Sequence, residues 1–78
     1  MANLIFENKE FKGINGLNEQ LAKGEYSNCT SINCIFTNAD LSNIAFIDCQ
    51  FSNCDLSMAT IRNTIFRDVK FVNSKLVG

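Results

Sequence analysis

Seventy-eight residues make one small domain, whose stability is expected to be marginal without a staple or a partner. With 46% apolar and 19% charged residues and a net charge of −1, the chain falls in the ordinary soluble class. There is no basic excess to displace counterions from phosphates, so no nucleic-acid partner is expected.

Histidine, tryptophan and proline are absent. The lack of histidine removes the commonest general base and the commonest metal ligand. The lack of proline suits a backbone that is hydrogen-bonded along its length. Met1-Ala-Asn-Leu-Ile-Phe-Glu has no basic stretch, and its apolar run is too short for a secretory leader. No apolar run reaches membrane-spanning length. The expectation is a cytoplasmic protein with no membrane partner and reduced thiols.

Residues 1–25 read as a degenerate coil followed by a short cap. Asn3 to Lys12 is extended, with Leu4, Phe6 and Phe11 turned inward. Over Asn15 to Gly24 a helical signal takes over. Asn15 is a competent N-cap, Leu17 and Leu21 lie four apart on one helical face, and Gly24 is a natural terminator. The segment reads as a short helix or helical turn against the open end of the repeat that begins at Tyr26. The alternative is a further coil of the repeat, in register through Leu21. Gly16 falls where a large residue is wanted, and Glu19 where a small one is wanted.

From Tyr26 to the end the chain falls into columns when written in fives. The first column, Tyr26 to Leu76, is apolar except at Ser31. The third is Asn or Asp except at Met58. The fourth is Cys, Ala, Thr, Val or Ser except at Ile44. Five-residue spacing smears apolar residues around a helix and alternates the faces of a flat strand. A chain that turns a corner every five residues satisfies it, and four corners close a square coil of twenty. Positions twenty apart match: Tyr26/Phe46/Phe66, Phe51/Phe71, Leu41/Ile61 and Phe36/Leu56/Leu76 among the large residues, Cys29/Cys49/Val69, Cys34/Cys54/Ser74 and Ala39/Ala59 among the small. The Asn/Asp column is expected at the corners, because these residues tolerate left-handed backbone, and stacked copies are able to form amide ladders.

This pattern resembles the pentapeptide-repeat family, whose unit reads small–Asp/Asn–Leu/Phe–x–x. Ala39-Asp40-Leu41-Ser42-Asn43 and Cys54-Asp55-Leu56-Ser57-Met58 are clear copies. The resemblance implies an all-β fold, a right-handed quadrilateral β-helix over residues 26–78, and a bacterial protein. It also implies end-to-end dimerisation at the C-terminal coil, which many members show. For its best-known members it implies mimicry of duplex DNA toward a type II topoisomerase. That role wants a long, acidic rod, and this chain is short and nearly neutral.

The residues that carry chemistry elsewhere read here as structure. Cys29, Cys34, Cys49 and Cys54 follow the repeat and fall on two sides of a packed lumen, so no metal and no cofactor is expected. Asp40, Asp48 and Asp55 have no accompanying nucleophile or base, and an enzyme is not expected. Charge is segregated along the axis. Glu25, Asp40, Asp48 and Asp55 precede Arg62, Arg67, Lys70 and Lys75, which face only Asp68. Such a bias sets docking orientation more than affinity.

Two contact surfaces are expected. Ile47, Ile65 and Arg67 face outward on the Tyr26/Phe46/Phe66 side and form a candidate protein-contact strip. Phe71 and Leu76 close the last coil with no polar cap after them, which points to self-association as a homodimer or to a longer solenoid of which this chain is a fragment.

Overall fold

The computed structural model describes residues 4–76. Eight three-residue strands alternate with corners: β1 (Ile5–Glu7), β2 (Glu10–Lys12), β3 (Glu25–Ser27), β4 (Thr30–Ile32), β5 (Ala45–Ile47), β6 (Gln50–Ser52), β7 (Ile65–Arg67) and β8 (Lys70–Val72). They form two parallel four-stranded sheets, ordered β1-β3-β5-β7 and β2-β4-β6-β8. Each pairing is offset by twenty residues, as in Tyr26↔Phe46↔Phe66 and Phe51↔Phe71. The third side of the square is joined by single bridges along Asn15, Ile35, Asp55 and Lys75, and the fourth by Asp40↔Thr60. The fold is an all-β solenoid of square coils, as the twenty-residue register requires.

The corners have one cause, repeated. Every fifth residue from Asn28 to Asn73 has φ between +48° and +60°, and Asn8 and Gly13 continue the series before it. These left-handed positions are the Asn/Asp column, Met58 included at +59°. Asn and Asp populate this region because a short polar side chain bonds locally, whereas other L-residues pay for it sterically. One rung of the expected amide ladder is present, with Asn28 Nδ2 donating to Asn8 Oδ1.

The lumen is filled by the first and fourth columns. Tyr26, Phe36, Leu41, Phe46 and Phe51 are buried, as are all four cysteines. Rings stack along the first side at centroid separations of 4.7 Å (Phe6–Tyr26), 5.5 Å (Tyr26–Phe46) and 5.5 Å (Phe46–Phe66). Phe51 and Phe71 stack at 5.3 Å on the second side, and Phe46 meets Phe51 edge-on at 5.2 Å. Offset and edge contacts of this kind add to area burial.

The small column does more than save space. Cys49 Sγ donates to Tyr26 O at 3.2 Å and Cys54 Sγ to Ser31 O at 3.3 Å. Thr64 Oγ1 donates to Leu41 O at 2.7 Å and Ser74 Oγ to Phe51 O at 3.1 Å. Each bond joins a coil to the one before it, across twenty-three residues. Where the column carries Cys, Thr or Ser, the small side chain also donates to the coil before it.

Of the short helix or helical turn expected over Asn15 to Gly24, a single turn forms. No helix forms among the described residues. The Glu19 amide donates to Asn15 O at 2.8 Å and the Leu17 amide to Asn15 Oδ1, giving one capped turn and no more. Leu17 is exposed and Leu21 is buried, so they share no face. The backbone instead bonds the next coil: Gly16 N to Ile35 O at 2.7 Å and Ile35 N to Ile14 O at 2.8 Å. Gly16 sits in the large column because Phe36 takes its space. A Cβ at Gly16 would lie 2.8 Å from Phe36 Cδ1, and Phe36 is fully buried. Ile44 follows the same logic in reverse. It fills a small position between Gly24 and Thr64, the residues in register with it on either side.

Candidate functional site

Among the described residues, two concavities contrast in chemistry. The larger is the C-terminal mouth of the lumen, a cavity of about 370 Å³. Its inner wall is Leu56, Ala59, Phe66 and Phe71, and its rim is Met58, Ile61 and Leu76. The rim residues are exposed, although Ile61 and Leu76 occupy inward positions of the repeat. Their aliphatic counterparts one coil earlier, Leu41 and Leu56, are buried. The mouth is lumen without a next coil over it among the described residues. Strands β7 and β8 are the outermost of their sheets at this end, so one edge of each carries free backbone groups.

The two residues expected at this end, Phe71 and Leu76, both line the mouth. Met58 and Ile61 line it as well, beyond the expected pair.

The other expected set is more dispersed. Ile47 and Arg67 stand in register on neighbouring strands, as do Ala45 and Ile65. Ile65 is exposed and Ile47 half-buried, and the two lie on a diagonal. Ile5 shares the Ile65 row, but Glu25 interrupts it. The first side therefore presents separate apolar spots beside a cation.

The second concavity, about 270 Å³, follows the corner between the first two sides. Asn28, Asp48 and Asp68 line it with Thr30, Gln50 and Lys70. Among the described residues no group of His, Cys, Asp or Glu is arranged to hold a metal ion.

The ionisable groups show how little chemistry the interior offers. Burial pushes the Tyr26 hydroxyl up to about 12, with Cys29 adding to the effect, and Tyr26 Oη donates to Ala22 O at 2.6 Å. Burial likewise raises Cys49 and Cys54, so these thiols stay protonated and unreactive. Outside, the Ser42 hydroxyl and amide hold the Asp40 carboxyl below its usual range, with Lys23 beside it at 3.4 Å. Ser57 does the same for Asp55, helped by Thr37 and Lys75. These carboxylates cap turns on the third and fourth sides. Among the described residues no helix is long and apolar enough to cross a membrane.

Square coils, left-handed Asn/Asp corners and a lumen of alternating small and large side chains define a class of solenoid. The pentapeptide-repeat family profile matches residues 27–68 and 46–78, with eight copies of the repeat, and the chain belongs to that family. No curated protein sequence matches it. Among solved structures, a trypsin-treated variant of QnrB1, described as a plasmid-mediated fluoroquinolone resistance protein, superposes with a TM-score of 0.73 at 28% identity. That match covers 83% of this chain and 34% of QnrB1. Full-length QnrB1 gives a TM-score of 0.54 at 26% identity, covering 83% of this chain and 43% of that one. The chain thus spans less than half the length of the structures it resembles.

Proposed function

We propose that this chain is a non-enzymatic interaction module that pairs with a second copy of itself through its C-terminal mouth. The observation that carries the reading is the apolar cavity between Phe66, Phe71 and Leu76, flanked by two open sheet edges. A two-fold pairing of identical ends is closed, and it covers both open edges and the apolar cavity between them. In this reading residues 1–25 are a degenerate first coil and a short cap, and residues 26–78 carry the contact surfaces in the cytoplasm. The Ile47, Ile65 and Arg67 side is left for a different protein. Sedimentation equilibrium at micromolar concentration and moderate salt tests it. A dimer is expected, and a folded monomer throughout the range overturns the self-association.

A second reading is favoured by the likeness to QnrB1: protection of a bacterial type II topoisomerase by imitation of duplex DNA. Duplex DNA carries one charge per ~1.7 Å of axis. This chain has a net charge of −1, and its last coil is basic. A gyrase supercoiling assay with and without a quinolone decides. A change in inhibition on adding the protein supports this reading, and no effect removes it.

A further inference from the structure

The mouth is apolar, but its surroundings are not. The last coil, residues 61–76, carries one cation on each of its four sides. Arg67 is on β7 of the first side and Lys70 on β8 of the second. Lys75 bridges Asp55 on the third, and Arg62 accepts the Asn43 amide through its carbonyl on the fourth. All four are exposed, and none makes an ion pair within the described residues. The only carboxylate in this coil is Asp68, at a corner. The coil before it carries acids alone, Asp48 and Asp55.

We infer that pairing through the mouth is gated by ionic strength: it is weak at low salt and strengthens as salt rises. The inference rests on the self-association proposed above. Placing two such ends together brings two rings, each with an excess of three positive charges, within about two sheet spacings, ~10 Å. Like charges at that separation oppose association when the screening length is long, and cease to when it is short. The apolar contact itself has no such dependence. Most charged interfaces weaken with salt, so the sign distinguishes this one.

The test compares wild type with the Arg62→Gln, Arg67→Gln, Lys70→Gln variant by sedimentation equilibrium in ~20 mM and ~500 mM sodium chloride, across which the screening length falls from roughly 20 Å to about 4 Å. These side chains are exposed, so the fold is retained, which circular dichroism checks. Wild-type dissociation constants are expected to fall by roughly tenfold at high salt. The variant is expected to pair tightly at both. Wild-type pairing that is unchanged or weakened by salt overturns the gating and leaves the dimer standing. Absence of a dimer in both proteins at both salts overturns the dimer, and the gating with it.

Discussion

Replacing Met58 by Asn should stabilise the fold of each chain, although Met58 stands on the exposed rim of the mouth. Met58 is 63% exposed and has φ +59° at a corner where the other described corners of the repeat carry Asn, Asp or Gly. Left-handed backbone costs an ordinary L-residue roughly 1–2 kcal/mol, of which Asn recovers a good part. The expected gain for Met58→Asn is therefore ~1 kcal/mol, and the expected loss for Asn43→Ala, at φ +60° with an exposed side chain, is about the same. Asn43→Gly should be close to neutral, because glycine enters this region freely. For a domain of this size, ~1 kcal/mol moves the melting temperature by roughly 4–8 °C. Thermal denaturation followed by circular dichroism, at matched protein concentration, reads all three. Loss of stability in Asn43→Gly equal to that in Asn43→Ala would refute the reasoning, because side-chain contacts, and not backbone conformation, would then hold the corner.

Two further predictions concern the outer face and the core. Ile47→Ser with Ile65→Ser should leave the melting temperature within a few degrees, as both side chains face outward, and should reduce capture of a protein partner in a pull-down. Unchanged capture removes that side as a contact surface. Stability should fall as pH rises from about 9 to 12. Cys49, Cys54 and Tyr26 have folded values above their unfolded ones, 9.0 for the thiols and 10.0 for the phenol. Each favours the fold while protonated, and the advantage is lost once the unfolded chain ionises. Tyr26→Phe should flatten the upper part of that decline while costing ~1 kcal/mol at neutral pH through the lost bond to Ala22. An unaltered alkaline limb in that variant would assign the decline to other groups.

Much of this architecture is legible in the residues because one period governs it. A twenty-residue register places Tyr26, Phe46 and Phe66 in one stack on the sequence alone, and the Asn/Asp column marks the left-handed corners. What escapes is complementarity between neighbours. Gly16 reads as a break in the apolar column, yet it is the space that Phe36 fills. Asn15, Leu17 and Leu21 carry a real helical preference, but a single turn is all it yields. Their backbone groups gain partners in the next coil, and tertiary pairing outweighs propensity worth a fraction of a kcal/mol per residue. The thiol and hydroxyl donors of the small column escape for a similar reason. Size is visible in a sequence, whereas an acceptor twenty-three residues earlier becomes visible only when the coil is closed. At the candidate site, Phe71 and Leu76 are legible from the unbroken register. The diagonal placement of Ile47 and Ile65 required the strand pairing.

The mouth is the part of the molecule on which the functional account depends. Its most direct test is sedimentation equilibrium of the wild type beside the Ile61→Ser, Leu76→Ser variant, in ~500 mM sodium chloride, where charge opposition is screened. Both side chains are more than half exposed, so the variant should keep its fold. The account predicts a dimer for the wild type and a monomer for the variant. A wild-type monomer, or a variant that pairs as tightly as the wild type, would contradict it.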